Sequence, residues 1–388
     1  STLPMISDDS SFLPDGKGRS YGDVPVNDGN ALLVTSRLDR LIRFDKTSGI
    51  LECEAGVTFQ EIIRLALPTG WFLPVTPGTQ YLTIGGAVAN DVHGKNHVHS
   101  GTIGCHLKSI CLLRSDNKSI HCSKSENHEL FAATIGGLGL TGLILSVEII
   151  LKKVESSNIL CQEIPFGNLR QGLQLISERE KVNHYTVAWI DTTAKGSARG
   201  RGILNAGDHH DDHVFDISRR ARLDVPVFFP SWTLNQYSVS AFNEVYFRKH
   251  KSHKDEFTQD YESFFYPLDS IQRWNRIYGK HGFYQYQFVL PIEPENSIDD
   301  VAGLLDEMLA IISETRSASF LSVLKSFGNI ASPGMLSFPT RGITLALDFP
   351  NRGVKTLKLL DCLDDRLLPA GGRIYPAKDA RMSSKAFK

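Results

Sequence analysis

The chain has 388 residues, enough for two packed domains, and 41% of them are hydrophobic. Its formal net charge of −1 excludes a general nucleic-acid binder, because phosphate-backbone recognition needs a basic surface. No apolar run approaches the ~18 residues of a membrane span, and Ser1–Ser10 lacks the basic-then-apolar pattern of a secretory signal, so a cytoplasmic or inner-membrane-peripheral protein is expected.

The first informative segment is Gly16-Lys-Gly18-Arg19-Ser20-Tyr21-Gly22-Asp23, a glycine-rich turn. Ala31–Thr35 and Ile50–Ala55 read as strands, and Phe59–Leu67 has helical spacing before Pro68 stops it. A second glycine-rich turn follows at Pro77-Gly78-Thr79 and Thr83-Ile84-Gly85-Gly86-Ala87. Two such turns can direct many backbone N–H groups at one pyrophosphate, which points to a bound dinucleotide. Asn90-Asp91-Val92-His93-Gly94-Lys95-Asn96-His97 comes directly after, so its side chains are expected beside the cofactor. An imidazole there could accept a hydroxyl proton, polarise an oxygen or bond to a cofactor ring; the competing reading is a structural histidine.

Gly137-Leu-Gly139-Leu-Thr-Gly142 fits G-x-G-x-x-G, but it follows a helix-like segment (127–134) and precedes a strand-like one (143–151). A nicotinamide-binding turn needs the opposite order, so a Rossmann site is rejected. The six cysteines, at 53, 105, 111, 122, 161 and 362, show no paired spacing and read as buried thiols.

Beyond Lys153 strands and amphipathic helices alternate, with a strand at Tyr185–Ile190 and a helix at Ile298–Glu314. Residues 195–231 read as a polar, mobile loop whose tip, Val225-Pro-Val-Phe-Phe-Pro-Ser-Trp232, could cover a site, touch lipid, or pack on its own domain. Within it, Asp208-His-His-Asp-Asp-His213 has ligand chemistry, yet consecutive residues do not converge on one ion, so a solvated loop is preferred and no metal is assigned. Arg248–Lys254 is read as a solvated basic face that could alternatively meet phosphate. Period-two alternation over Phe283–Leu290 puts Gln285 and Gln287 on one face of a strand, either as a polar pocket wall or as an exposed edge. Near the end, Arg373-Ile-Tyr375-Pro-Ala-Lys378-Asp-Ala-Arg381 holds a lysine that burial among cations would turn into a base or an anchor for an anionic oxygen; the competing reading is a surface lysine.

In their order, Gly-Arg-Ser-Tyr-Gly-Asp (18–23), Pro-Gly-Thr (77–79), Gly-Gly-Ala (85–87), Asp-Val-His-Gly-Lys-Asn-His (91–97), Gly-Leu-Thr-Gly (139–142), Tyr-Pro-Leu-Asp (266–269), Trp-Asn-Arg (274–276), Tyr-Gln-Phe (286–288) and Ala-Lys-Asp-Ala-Arg (377–381) resemble flavin oxidoreductases of the vanillyl-alcohol-oxidase (PCMH) type. The likeness is strongest to the branch that oxidises polyprenyl-phosphate-linked ribose. It implies an α+β fold: an FAD-binding domain over 1–153, its opening part outside this sequence, a substrate domain with an antiparallel sheet over 154–370, and a return to the FAD domain over 371–388. It further implies non-covalent FAD held by Gly16, Gly18, Arg19, Ser20, Tyr21, Gly22, Asp23, Gly78, Thr79, Thr83, Gly85, Gly86, Ala87, Asn90, Asp91, His93, Gly94, Ile144 and Tyr375. Lys378 as base, with His93 and Tyr21, would act on a substrate bound by Gln285, Gln287, Lys325, Thr344 and Ala346.

The implied reaction converts the 2′-hydroxyl of a lipid-linked pentofuranose to a ketone, half of an epimerisation that a separate NAD(P)H-dependent reductase completes to the arabinose form. The alternatives are an aldonolactone or alditol oxidase acting on free sugar, and a non-catalytic flavin protein. Two departures from the mycobacterial members stand out: Ala346 replaces a cysteine and Thr344 an asparagine, so a thiol is not needed for the chemistry here.

Overall fold

The computed structural model describes residues 11–217, 223–230, 232–251, 256–293, 297–317 and 319–387. Two antiparallel sheets dominate it. The smaller has five strands in the order Leu41–Asp45, Ile50–Glu54, Leu143–Ile150, Leu107–Leu113, Ser119–Ser123. The larger has eight, in the order Phe257–Asp260, Asn158–Phe166, Gly202–His209, Tyr185–Ile190, Ser322–Phe327, Gly342–Pro350, Phe283–Pro291, Arg373–Ile374. This is the α+β class with antiparallel sheets that the sequence resemblance implies.

The helix Phe59–Ala66 starts at a capping box, Thr58 accepting from the Glu61 N–H while Glu61 reaches back, and Pro68 follows its end. Its buried face, Phe59, Ile62, Ile63 and Ala66, joins Leu51, Ile84, Ile110, Leu112 and Val147 in the first core. Tyr261, Phe264, Phe265 and Tyr266 enter that same core from the segment after the Phe257–Asp260 strand. Their attachment is also polar: the Tyr266 hydroxyl lies 2.7 Å from Thr76 Oγ1, and the Gln80 N–H donates to Asp269 at 2.9 Å. The Tyr-Pro-Leu-Asp segment thus bolts the larger sheet onto the second glycine-rich turn.

On one side of the eight-stranded sheet pack the helices Leu169–Arg179, Ile298–Glu314 and Val354–Leu367, burying Phe288, Leu305, Met308, Ile312, Leu324, Leu345, Leu347 and Leu363. Since side chains alternate along each strand, the opposite side receives Gln285 and Gln287, Lys325, and Thr344, Ala346 and Asp348. The Arg373–Ile374 strand adds to the Phe283–Pro291 edge, and the chain then crosses to the glycine loops, where the Tyr21 N–H donates to the Ala377 carbonyl at 2.9 Å.

The polar stretch 195–231 is not a loop throughout. Gly202–His209 is a strand inside the large sheet, paired on both sides, which its Ile203-Leu204 pair and small residues permit despite charged flanks. Leu223–Asp224 pairs in parallel with Ile271–Gln272, and Arg276 sits over the Phe228 ring at 5.3 Å, so the aromatic tip is docked on the 271–278 segment. Ser231 and Ser252–Lys254 lie outside the described residues, whereas Arg248–Lys251 end the helix Gln236–Lys251. No helix among the described residues is long and apolar enough to cross a membrane.

Gly85 shows how tightly the second turn seats on the first core. A Cβ there would lie 2.7 Å from the Ala55 Cβ and 3.0 Å from its carbonyl oxygen. Gly85→Val is therefore expected to cost about 2 kcal/mol or more through overpacking, seen as a lowered Tm together with weakened flavin retention.

Candidate active site

The two glycine-rich turns meet edge to edge. A Cβ on Gly16 would strike Thr83 Oγ1 at 2.4 Å, while Thr83 caps the helix Ile84–Ala89 by accepting from the Gly86 N–H at 3.2 Å. Gly18 and Gly22 adopt φ of 56° and 68°, conformations that L side chains avoid. Gly22 also packs where a Cβ would lie 2.0 Å from the Asp379 carbonyl, whereas Gly18 and Gly78 have nothing within 4 Å of that position. The N–H groups of Gly18, Arg19, Ser20, Gly22, Gly78 and Thr79 find no acceptor among the described residues. Unpartnered donors along a Cβ-free groove fit a pyrophosphate, so the cradle is suited to the dinucleotide part of FAD.

Other residues implied by the resemblance take varied positions. Arg19 stacks 5.9 Å from the Tyr81 ring, and Asp23 lies exposed with its carbonyl accepting the Val26 N–H. Thr79 Oγ1 accepts the Tyr81 N–H at 3.2 Å. Ala87 and Ile144 are buried in the first core. Asn90 donates to the Gly86 carbonyl at 2.8 Å, leaving its Oδ1 buried without a partner, and Tyr375 donates to the Asn90 carbonyl at 3.0 Å. Gly94 is pressed between Asn96 Oδ1 and the Thr76 carbonyl, where a Cβ would be 2.8 and 2.9 Å away.

Asp91 is engaged by protein groups on both its oxygens. Wholly buried at φ 40°, it takes the Gly104 N–H at 3.0 Å on one oxygen and the hydroxyls of Ser332 and Ser337, each at 2.5 Å, on the other. Both oxygens are thus committed to protein groups, and the carboxylate fastens the 328–340 segment to the turn before His93. That segment brings Phe338, stacked on Tyr375 at 4.6 Å, to 6.1 Å from the His93 ring.

His93 is buried against the larger sheet. Gln287 Nε2 lies 3.0 Å from its Nε2 and 3.2 Å from Thr344 Oγ1, while Lys325 Nζ is 3.2 Å from its Nδ1. The Thr344 hydroxyl donates to the Phe288 carbonyl at 2.8 Å. With both Gln287 amide hydrogens directed outward, Nε2 of His93 accepts and the ring proton lies on Nδ1, pointed at Lys325. Burial, with Lys325, His97 and Lys378 nearby, holds His93 well below its usual pKa. Burial and the neighbouring Lys95 and Lys378 push Lys325 down to about 7, making a neutral amine available to accept that hydrogen bond.

Lys378 rests over the Tyr21 ring, 4.3 Å from its centroid. Burial lowers it to about 8, against the pull of Asp348. Tyr21 is itself raised by burial and by Asp348, which keeps it a phenol. Asp348 faces Gln285 across the strand pair, accepting from its Nε2 at 2.6 Å, and burial raises it to about 6. Between these groups Ala346 pairs with Gln287 on one side and Val323 on the other, leaving a shallow floor ringed by Gln285, Gln287, Lys325, Thr344 and Asp348. The geometry favours the pocket-wall reading of the two glutamines.

Sequence reading missed Asp348, the Asp91 fastening and Phe338. The Asp208–His213 run also differs from the solvated loop expected. His209 Nδ1 lies 2.6 Å from the Ser156 carbonyl against Phe72 and Tyr185, and Asp208 accepts from His184 N–H and Asn183, because the run continues a buried strand. Among the described residues, no group of three or more His, Cys, Asp or Glu could hold a metal ion.

Comparison with known proteins agrees with this geometry. A family model described as an FAD binding domain matches residues 7–123. Over 385 residues the chain is 33% identical to the decaprenylphosphoryl-beta-D-ribose oxidase of Mycolicibacterium smegmatis, covering 96% of this chain and 81% of that protein. It is 29% identical over 339 residues to an uncharacterised Streptomyces coelicolor protein from the mprA 5′ region, covering 84% and 90%. The L-gulonolactone oxidase of Mus musculus is 25% identical over 176 residues, covering 45% of this chain and 39% of its own.

Replacing Asp91 by alanine would leave the Gly104 N–H and two serine hydroxyls unanswered and place at φ 40° a residue that tolerates positive φ less well than aspartate. The expected cost is about 3 kcal/mol, measured as a drop in Tm, with Asp91→Asn losing distinctly less.

Proposed function

The chain belongs to the family of FAD-dependent oxidoreductases that includes decaprenylphosphoryl-β-D-ribose oxidase, and from this we propose that it oxidises the 2′-hydroxyl of a polyprenyl-phosphate-linked ribose to the 2′-ketone. The observation that carries the reading is the polar array on three adjacent strands, Gln285 and Gln287, Thr344 and Asp348, and Lys325, facing the glycine cradle with Lys378 and Tyr21 at its edge. A furanose presents several hydroxyls to such a face, and the carboxamides can donate to or accept from each.

When bound, FAD supplies the two-electron oxidation by taking the hydride from the substrate C–H. The protein's part is orientation and the proton. Lys378, lowered to about 8, is the group we assign as base, its neutral amine taking the hydroxyl proton. His93 is neutral and has both ring nitrogens engaged, so it serves to orient Gln287 and Lys325. Engagement of both nitrogens, together with Arg19-Ser20 in the first turn, favours FAD held without a covalent bond. The exposed apolar tip, with Val227 63% and Phe228 46% exposed, suits contact with the lipid part of the substrate or its membrane. The keto product would then require a separate NAD(P)H-dependent reductase to complete an epimerisation.

Acid precipitation of the holoenzyme is expected to leave the flavin colour in the supernatant; a yellow pellet would establish a covalent bond. An anaerobic absorbance titration is expected to show flavin bleaching by polyprenyl-phosphoryl ribose and not by free aldonolactones or alditols. Bleaching by the free sugars would move the assignment to soluble sugar oxidation. In Lys378→Met the bleaching rate should fall by about 10²-fold or more.

A further inference from the structure

The helix Gln236–Lys251 is apolar on two sides. It begins at Asn235, whose side-chain oxygen accepts the Tyr237 and Ser238 N–H groups at 2.8 and 3.2 Å. Its inner side, with Val239, Asn243 and Phe247, is buried and fixed. Asn243 donates to the buried Asp191 at 2.8 Å, and Arg201, lying against the Phe247 ring, pairs with Asp191 at 2.8 Å and Glu244 at 2.5 Å. On the outer side Tyr237, Ala241 and Val245 recur every four residues, with Tyr237 79% and Val245 67% exposed. Phe242 is half-exposed, and Trp232, 75% exposed, connects the helix in sequence to the aromatic tip at 227–229. A rigidly held helix whose uncovered face carries large apolar residues presents a contact surface.

What covers that surface follows from its two flanks. One leads to the site through neighbouring rings: Phe242 is 5.7 Å from Phe320, Phe320 is 5.4 Å from Tyr278, Tyr278 is 4.3 Å from Phe283, and Phe283 is 5.6 Å from Tyr21, over which Lys378 rests. The other flank is basic. Past Glu244, which Arg201 and Arg248 both hold at 2.5 Å, the chain reads Arg248-Lys249-His250-Lys251. Tryptophan and tyrosine beside lysine and arginine are the side chains that settle at the boundary of an anionic bilayer. No helix among the described residues can cross a membrane, so attachment through them is peripheral.

We propose that the outer face of the helix Gln236–Lys251, with Trp232 and the 227–229 tip, seats the enzyme on an anionic phospholipid bilayer, and that the row of rings from Phe242 to Tyr21 joins this surface to the site. The proposal rests on the reading of the substrate as lipid-linked. Drawing a whole polyprenyl chain into water costs more than binding one sugar returns, so the site has to come to the membrane. The apolar side chains then enter the headgroup boundary, and the basic end of the helix meets the lipid phosphates.

The test is sedimentation of the FAD-bound enzyme with vesicles of phosphatidylcholine, alone or mixed with phosphatidylglycerol. The wild type should sediment with the mixed vesicles, and less so as salt rises. A variant combining Trp232→Ser, Tyr237→Ser and Val245→Ser, all at exposed positions, should bind about tenfold or more weakly while keeping its flavin and Tm. Arg248→Gln with Lys249→Gln should lose about fivefold per charge on the mixed vesicles. Vesicles should also shift tryptophan emission to the blue, and Trp232→Phe should remove most of that shift with binding retained. Undiminished binding by the serine variant, or no binding of mixed vesicles by the wild type, would overturn the proposal. A wild-type dimer that the serine variant turns into a monomer, with no vesicle binding, would give the face to a second copy of this chain instead. Failure of the substrate reading looks different: polyprenyl-phosphoryl ribose would leave the flavin oxidised while vesicle binding kept the pattern above, which would uphold the surface.

Discussion

Desolvation of charge on one face of one sheet is the constraint on which the rest of the structure depends. Lys325, Lys378, His93 and Asp348 are all withdrawn from water where the eight-stranded sheet meets the glycine turns. A low-dielectric space cannot hold two ammonium groups and an imidazolium together, since each like charge raises the cost of the next. The arrangement resolves this by keeping His93 neutral, bringing the lysines near the neutral range and admitting one carboxylate. What would be a liability in a core becomes a set of groups able to hold or release a proton near physiological pH.

Such a space has to be closed from several directions, and distant parts of the chain do so. The first glycine turn supplies Tyr21, the second supplies the bed for His93, the large sheet supplies the floor, and the final segment supplies Lys378. Fastenings between these parts are mostly backbone or small polar contacts: Tyr21 to Ala377, Tyr375 to Gln287, Tyr266 to Thr76, Asp91 to Ser332 and Ser337. Glycine recurs at these seams for a steric reason, most plainly at Gly22, where any side chain would collide with the Asp379 carbonyl.

Local regularities were readable from the sequence. The helix ending at Pro68, the strand at Tyr185–Ile190 and the helix at Ile298–Glu314 follow from periodicity and stop signals, and the structure has them at those places. The face shared by Gln285 and Gln287 followed from the strand period. Asp348 did not, because only the pairing of Gly342–Pro350 with Phe283–Pro291 sets it opposite Gln285, and register between strands that far apart is not written in either one. Asp91 looked like a ligand by its position in a motif, and its bonds to serines some 240 residues later are visible only in three dimensions. The Gly202–His209 strand was hidden by the polarity around it, which misrepresents a segment buried by neighbours on both sides.

The bond from the Tyr21 N–H to the Ala377 carbonyl joins the first glycine turn to the last described segment. The two partners lie far apart in the chain, so the groove gains this wall only when distant segments meet. A groove walled by both early and late parts of the chain thus reaches its final shape only as the whole fold closes, late in the order of contacts rather than early.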